Sequence, residues 1–253
     1  MKLLVARGLT KRFGGIVANK SVDFEIDRGE IHAVIGPNGA GKSTFMSQLS
    51  GEHVPDQGSI VFDGRDVTML PIHRRAQLGL GRCYQVSRIF LDHTTIDNVA
   101  MGVLARQGGH LRGWRDARGE TALLDPARHV LVDVGLAGRE HVPASALSHG
   151  ERRQLELAMA LATKPSLLLL DEPMAGMGTT ESRIIVDLIA KLSATIAVVL
   201  IEHDMEAVMA LADRISVLVN GRLIATGTPE AVVANSAVQE AYLASDGAPR
   251  HHA

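Results

Sequence analysis

The sequence has a single cysteine and almost no excess of one sign of charge, and each of these shortages argues against a class of protein. Cys83 has no second cysteine with which to form an internal disulfide, which suits a chain that folds in a reducing compartment. The 26 basic and 28 acidic side chains give a formal net charge of −2. This balance gives no electrostatic reason to expect binding to nucleic acid or to an anionic membrane surface.

Long hydrophobic runs are also missing, although 46% of the 253 residues are hydrophobic and 21% are charged. Apolar runs such as 167–170 and 196–201 are far shorter than the ~20 residues of a membrane-spanning helix. Arg7 follows directly on the apolar residues 3–6, too early for a signal peptide. We therefore expect a soluble, cytoplasmic α/β protein with a sizeable core.

The chain divides into three regions, 1–86, 87–145 and 146–253, within one expected domain, 1–253. The first region alternates short β-type runs with turn residues, and the second has helical spacing. The third alternates helices with apolar strands, as in a parallel sheet covered on both faces. Strands are predicted at 3–6, 22–26, 31–35, 59–62, 167–170 and 196–201, helices at 96–104, 122–134, 153–162 and 180–192, and a hairpin at 214–219 and 222–225.

Residues 36–44 read GPNGAGKST and fit the pattern G-x-x-x-x-G-K-[ST] of a phosphate-binding loop. An apolar strand precedes the loop and a helix-compatible run follows it, which argues against a glycine-rich turn with a merely solvated lysine. Glycines let consecutive N–H groups face one anion, Lys42 would contact the β- and γ-phosphates, and the Ser43 hydroxyl would bind Mg²⁺. The predicted phosphate site consists of Gly36, Pro37, Asn38, Gly39, Ala40, Gly41, Lys42, Ser43 and Thr44.

Two carboxylates, Asp171 and Glu172, follow the apolar run 167–170 directly. Acidic residues often end strands simply as turn formers, but ligands of parallel sheets bind at this end of the strands. Together with a phosphate loop, Asp171 is predicted to bind Mg²⁺, and Glu172 to orient or deprotonate the attacking water. Hydrolysis of a nucleoside triphosphate is therefore the leading reaction.

The segment LSHGE at 147–151 predicts a helix N-cap at Ser148. Here the sequence also resembles the nucleotide-binding subunits of ABC transporters, whose LSGGQ-type signature it matches except at His149 and Glu151. The family's motifs occur in order over essentially the whole chain. The resemblance implies an α/β, RecA-like P-loop NTPase core with a mostly parallel sheet, an N-terminal antiparallel β subdomain and a helical subdomain. It also implies two subunits that enclose two ATP molecules, so that Ser148, His149 and Gly150 would contact ATP bound to the partner subunit.

The resemblance assigns roles to three further residues. Gln85 matches the glutamine that would contact Mg²⁺ and the attacking water, and His203 matches the histidine that would contact the γ-phosphate. Phe13 matches the aromatic residue that stacks on adenine. Taken alone, His203 would more often be a structural histidine, and Phe13 could be an ordinary core phenylalanine.

Several segments resemble a subgroup, the ATPase subunits of branched-chain amino-acid uptake systems, a subgroup that also includes urea and short-amide systems. These segments are 13–15, 35–44, 147–156, 174–177, 201–205, 227–230 and 240–243. The resemblance implies a second ABC ATPase subunit, identical or related, membrane permease subunits and, indirectly, an external solute-binding protein. It places the chain at the cytoplasmic face of the inner membrane, with Phe90 and residues 94–96 lining a groove for a permease helix.

Two other functions compete with this one. A non-transport ABC ATPase of repair or translation usually carries tandem cassettes or a coiled-coil insertion, and the sequence has one cassette and no heptads. A small-molecule kinase would need a lid and an acceptor pocket, and it would leave residues 147–151 unexplained.

Overall fold

The computed structural model describes residues 2–84, 89–107 and 121–246. It divides the chain into two units, of which unit 1 comprises residues 1–72 and 193–253 and unit 2 comprises residues 73–192. The described elements, in chain order, are β1 (Lys2–Phe13), β2 (Ile16–Asp27), β3 (Ile31–Ile35), α1 (Lys42–Ser50), β4 (Gln57–Phe62), β5 (Arg65–Asp66), α2 (Ile72–Gln77), β6 (Leu80–Cys83), α3 (Thr95–Arg106), α4 (Thr121–Asp133), α5 (His149–Ala162), β7 (Leu167–Asp171), α6 (Thr179–Leu192), β8 (Ala197–Ile201), α7 (Met205–Leu211), β9 (Arg214–Val219), β10 (Arg222–Gly227), α8 (Pro229–Val233) and α9 (Ser236–Asp246).

Unit 1 contains an antiparallel sheet in the order β2-β1-β4-β5. Ala6 at the centre of β1 faces Phe24 of β2 on one side and Ile60 of β4 on the other. All three side chains are buried, whereas Arg7 beside them is exposed. The sheet therefore packs one face into the core and leaves charged side chains on the other.

The parallel strands of unit 1 carry its functional loops. Strand β3 pairs in parallel with β8 through Ala33 and Leu200, and with β9 through Ala33 and Ile215. Every residue of β3 and β8 is buried, which explains why both strands are apolar except at His32 of β3. Because parallel strands end at the same edge of a sheet, the loops that follow β3 and β8 lie at one edge.

Strand β10 pairs antiparallel with β9 across the predicted Asn-Gly turn. Asn220 and Gly221 both have positive φ, 48° and 76°, the backbone conformation that favours this dipeptide in tight hairpins. The predicted hairpin is confirmed, and its second strand runs two residues further than expected, to Gly227.

Unit 2 combines a pair of strands with a group of helices. Strand β6 pairs in parallel with β7, with Gly81 opposite Leu168, and α3 packs against both α4 and α5. Val99 of α3, Leu131 of α4 and Leu155 of α5 are each fully buried. These residues form the core of the helical region.

The α/β class, with an antiparallel N-terminal sheet, parallel strands and a helical region, is confirmed. The predicted helices lie within a few residues of the observed ones. In the described part of the chain, none of the helices combines the length and the apolar character needed to cross a membrane.

Candidate functional site

The loop 36–44 of unit 1 joins β3 to α1 and is shaped by the backbone of other strands. Gly36 has φ 148°, and a Cβ there would stand 2.0 Å from the carbonyl oxygen of Leu218. Gly41, at φ 102°, is equally confined, since its Cβ would stand 2.2 Å from the carbonyl oxygen of Ala18. Only glycine fits such close approaches to backbone. The glycines of the motif are thus required by packing as well as by any ligand.

Lys42 is the first residue of α1, and its side chain is buried over the loop. Its Nζ donates hydrogen bonds to the carbonyl oxygens of Gly36, at 2.6 Å, and Pro37, at 3.1 Å. The ammonium group and the positive end of the helix dipole are therefore held beside the same short loop. This combination favours a bound anion such as a phosphate.

Two buried amides that the sequence pattern did not single out support the loop. Asn19 of β2 donates from Nδ2 to the carbonyl oxygen of Gly41 at 3.2 Å. Gln48 of α1 in turn donates from Nε2 to Oδ1 of Asn19 at 2.7 Å. Both side chains are fully buried. No local sequence signal predicts this link, because it joins residues that are 29 positions apart.

Phe13 lies at the end of β1 and is 45% exposed, which rules out the alternative of a core phenylalanine. Its ring contacts the ring of His53 edge-on at a centroid distance of 5.3 Å. The amine of Lys11 lies 5.8 Å from the same ring. An exposed aromatic face of this kind can stack on a planar ligand.

His203 follows β8 and is exposed, so it is not a core histidine. Its backbone N–H donates to Oε2 of the buried Glu202 at 3.0 Å. Asp204 then caps α7, accepting from the backbone N–H groups of Glu206 and Ala207. The histidine is therefore held on a fixed backbone at the same sheet edge as the loop after β3, because Val34 and Ile201 are paired in register.

The acidic pair of unit 2 ends β7, and its two members differ in their surroundings. Asp171 is 3% exposed and lies 3.6 Å from Nη2 of Arg82 on β6, measured from Oδ2. Glu172 is partly exposed and has φ 48°, a left-handed conformation that costs free energy in residues other than glycine. Strain of this kind is concentrated at functional sites. One carboxylate is thus buried beside an arginine, while the other belongs to a partly exposed residue.

Ser148 caps α5, as predicted. Its Oγ accepts from the backbone N–H of Glu151 at 3.2 Å, and its own N–H donates to Oε2 of Glu151 at 2.9 Å. This reciprocal pair is a capping box, completed by an ion pair of 2.8 Å between Glu151 and Arg139. The glutamate that departs from the LSGGQ-type signature therefore has a structural role in ordering the helix N-terminus.

Replacing Glu151 by alanine should lower the free energy of unfolding by about 1 kcal/mol at neutral pH, the usual contribution of a helix cap. The backbone N–H of Ser148 holds the pKa of Glu151 below its ordinary value of 4.5. The stabilisation is therefore present above that value and is lost as the pH falls through the lowered pKa. Urea unfolding of both proteins at pH 7 and at successively lower pH measures the difference. The matched control is Glu240→Ala, an exposed glutamate on α9, and a difference that persists unchanged in acid would contradict the prediction.

A cleft of about 230 Å³ in unit 2 is lined by residues of α5 and of the acidic segment. Among them are His149, Arg152, Arg153, Glu156 and Glu172. His149 is exposed, and Gly150 behind it is buried, where a Cβ would stand 3.0 Å from Oε1 of Glu181. Ser148 and His149 of the signature are therefore exposed, and Glu172 is partly exposed, in the same unit.

Gln85 lies outside the described residues. Phe90 is exposed, and its backbone is held by two hydrogen bonds to the side chain of Asn98, but Thr95 and Ile96 are buried. The prediction that these last two residues line a surface groove is wrong, because Thr95 begins α3 and bonds to the carbonyl oxygen of Val142.

Sequence comparison finds related proteins over nearly the whole chain. A profile of the ABC transporter family matches residues 19–175, and a profile of branched-chain amino acid ATP-binding cassette transporters matches residues 222–243. The chain is 37% identical to the high-affinity branched-chain amino acid transport ATP-binding protein BraF of Pseudomonas aeruginosa, over 95% of this chain and 97% of that protein. It is 39% identical to LivG of Salmonella typhimurium, which carries the same description, over the same shares.

Solved structures give the same result for the fold. The chain superposes on a nucleotide-free ATP-binding cassette from an ABC transporter with a TM-score of 0.86 and 26% identity, over 96% of this chain and 99% of that one. A cassette in its ADP conformation matches with the same TM-score, 27% identity and the same coverage. The likeness extends over nearly the full length of each chain.

Proposed function

The chain belongs to the ABC transporter family, and from this premise we propose that it is the ATP-hydrolysing subunit of an importer for branched-chain amino acids. The observation that carries the proposal is the cradle around Lys42, a buried ammonium group held at a helix N-terminus by two loop carbonyls. The names of BraF and LivG supply the solute class.

The loop 36–44 binds the phosphates of ATP. Its backbone N–H groups and the N-terminus of α1 face the anion, and the amine of Lys42 moves from the loop carbonyls to the phosphate oxygens. Phe13 stacks on the adenine, since its ring is exposed at the end of β1, in the same unit as the phosphate loop. Each of these contacts belongs to unit 1.

Oxygen-donating side chains suit Mg²⁺ as the accompanying metal. Ser43, Asp171 and Gln85 would hold it through a hydroxyl, a carboxylate and an amide oxygen, the ligand types that this ion prefers. Within the described ranges, no cluster of three or more His, Cys, Asp or Glu side chains could hold a metal. When bound, Mg²⁺ supplies charge that stabilises the γ-phosphate during transfer.

Hydrolysis requires that a water attack the γ-phosphorus while the bond to the bridging β-γ oxygen breaks and ADP leaves. Glu172 accepts the proton of that water, and its partial exposure makes its carboxylate available to solvent. His203 donates a hydrogen bond to the γ-phosphate as negative charge redistributes. Gln85 orients the water.

Two copies, or this chain and a related ATPase, enclose the nucleotides. Ser148, His149 and Gly150 of one subunit contact ATP bound to the other, and the capped N-terminus of α5 adds favourable N–H groups. ATP then binds the closed pair better than the open pair, and this differential affinity drives the movement. Closure of the pair moves the permease subunits, which it contacts at the cytoplasmic face of the membrane. An external solute-binding protein delivers the amino acid to the permease.

The experiment has two parts. The purified protein should release phosphate from ATP without any acceptor, and Lys42→Ala should abolish that release. In proteoliposomes that contain its permease and solute-binding protein, internal ATP should drive uptake of leucine, isoleucine and valine. Uptake of urea or a short amide in their place would contradict the solute assignment, and absence of phosphate release would contradict the ATPase assignment.

A further inference from the structure

Arg153 of α5 has a buried guanidinium group that bonds to the acidic segment through backbone. Its Nε donates to the carbonyl oxygen of Pro173 at 2.9 Å, and Nη2 donates to those of Asp171 at 3.1 Å and Glu172 at 2.8 Å. The side chain is only 8% exposed. One arginine therefore fixes three successive carbonyl groups at the end of β7.

The remaining donor atom reaches a different segment. Nη1 donates to the carbonyl oxygen of Tyr84 at 2.9 Å and to Oε2 of Glu156 at 2.5 Å. Tyr84 directly precedes Gln85, and Glu156 lies one turn further along α5 and neutralises the charge. All five N–H groups of the guanidinium are thus used. A lysine, with three donors on one atom, could not make the same set of bonds.

We propose that Arg153 is the positioning residue that couples the signature segment to the hydrolytic glutamate and to the glutamine segment. The inference deepens the proposed function and rests on it. The carbonyl that Arg153 binds in Glu172 belongs to the residue whose backbone has φ 48°, so the bond holds the strained conformation that directs this carboxylate. Ser148 caps the same helix five residues earlier.

Ser148 and Arg153 move together because both belong to the N-terminal part of one helix, α5. A nucleotide of the partner subunit that contacts Ser148 acts on the first turn of α5, and Arg153 lies one turn beyond. Any displacement of that turn is passed through the guanidinium to residues 171–173 and to Tyr84. Among the described residues, Arg153 donates to main-chain carbonyls and to Glu156, so it affects hydrolysis through the placement of other groups and not through contact with substrate.

The test compares Arg153→Lys with Arg152→Lys. Arg152 is the matched control because it neighbours Arg153 on α5 and, among the described residues, its side chain donates to the carbonyl oxygen of Ser145 and not to those of residues 171–173. Misplacement of a catalytic group by about 1 Å can cost on the order of 10²-fold in rate. We expect Arg153→Lys to lower kcat by about that factor with KM for ATP changed less than about threefold, and Arg152→Lys to leave kcat near the wild-type value. An unchanged kcat in Arg153→Lys, or an equal loss in both variants, would overturn the proposal.

A second pair of measurements separates positioning from stability and from the ATPase assignment. Glu156→Gln removes the charge partner but retains the four carbonyl bonds of Arg153, so it should lower Tm while kcat stays within about threefold. Hydrogen exchange of peptides that cover residues 171–177 should be faster in Arg153→Lys than in Arg152→Lys, whether or not ATP is hydrolysed. If the wild-type protein does not hydrolyse ATP, the proposed function is refuted. The exchange rates still test the connection between Arg153 and residues 171–173, because equal rates in the two variants would refute that connection.

Discussion

Glu172→Gln should bind ATP normally and hydrolyse it ~10²–10⁴ times more slowly, the usual contribution of a general base. Glutamine has nearly the same shape and cannot accept the proton of the attacking water. The left-handed backbone at this position and its bonds to Arg153 are independent of the side chain, so the variant should keep the geometry of the site. Single-turnover hydrolysis and equilibrium binding of a fluorescent ATP analogue measure the two effects separately.

The matched control is Glu156→Gln, which makes the same chemical change on α5 in the same unit. Its carboxylate binds Arg153, and its loss should change stability far more than turnover. Turnover of Glu172→Gln at the wild-type rate would remove Glu172 from the role of base. A loss of ATP binding of the same size as the loss of turnover would point instead to a damaged nucleotide site.

Mixing two inactive variants should restore activity if nucleotides bind between two subunits. Lys42→Ala removes the phosphate contact, and Ser148→Arg places a large cation where the signature meets the partner's nucleotide. In a mixed dimer, the Ser148→Arg subunit retains Lys42 and the Lys42→Ala subunit retains Ser148. These two intact residues meet at one nucleotide site, and both mutated residues meet at the other. Because half of the dimers in an equimolar mixture are mixed and each has one intact site, activity should return to about a quarter of the wild-type value.

The control is a mixture of Lys42→Ala with Lys42→Ala/Ser148→Arg, which has no complete site in any dimer and should remain inactive. Equilibration of subunits can be followed by fluorescence transfer between labelled chains. Mixed dimers that form but show no activity would contradict the arrangement in which Ser148 acts across the interface.

Local patterns in the sequence predicted most of the elements and the phosphate loop. The strands β3 and β8 are buried along their whole length, and apart from His32 in β3 their residues are apolar, so composition alone marks them. The capping of α5 by Ser148 follows from a short motif, and the structure confirms it. Features of this kind depend on residues within a few positions of one another.

Features that depend on distant residues were not predictable. Strand β1 extends to Phe13, beyond the predicted residues 3–6, because exposed charged side chains interrupt its apolar pattern while pairing with β2 continues. Asn19 lies in no motif, and the segment 147–156 did not reveal the role of Arg153, since the partners of both side chains come from other elements. Thr95 was misassigned to a surface because its bond to Val142 spans 47 positions.

The confinement of Gly36 and Gly41 also bears on how this protein can change. Their neighbours are carbonyl oxygens of β9 and β2, so neither position can accept a side chain without moving a strand. A loop confined in this way has little conformational entropy to lose when it binds the phosphates that we propose as its ligand. Under that proposal we expect variants with altered nucleotide preference to carry changes near Phe13, where the surface is exposed, and not at Gly36 or Gly41.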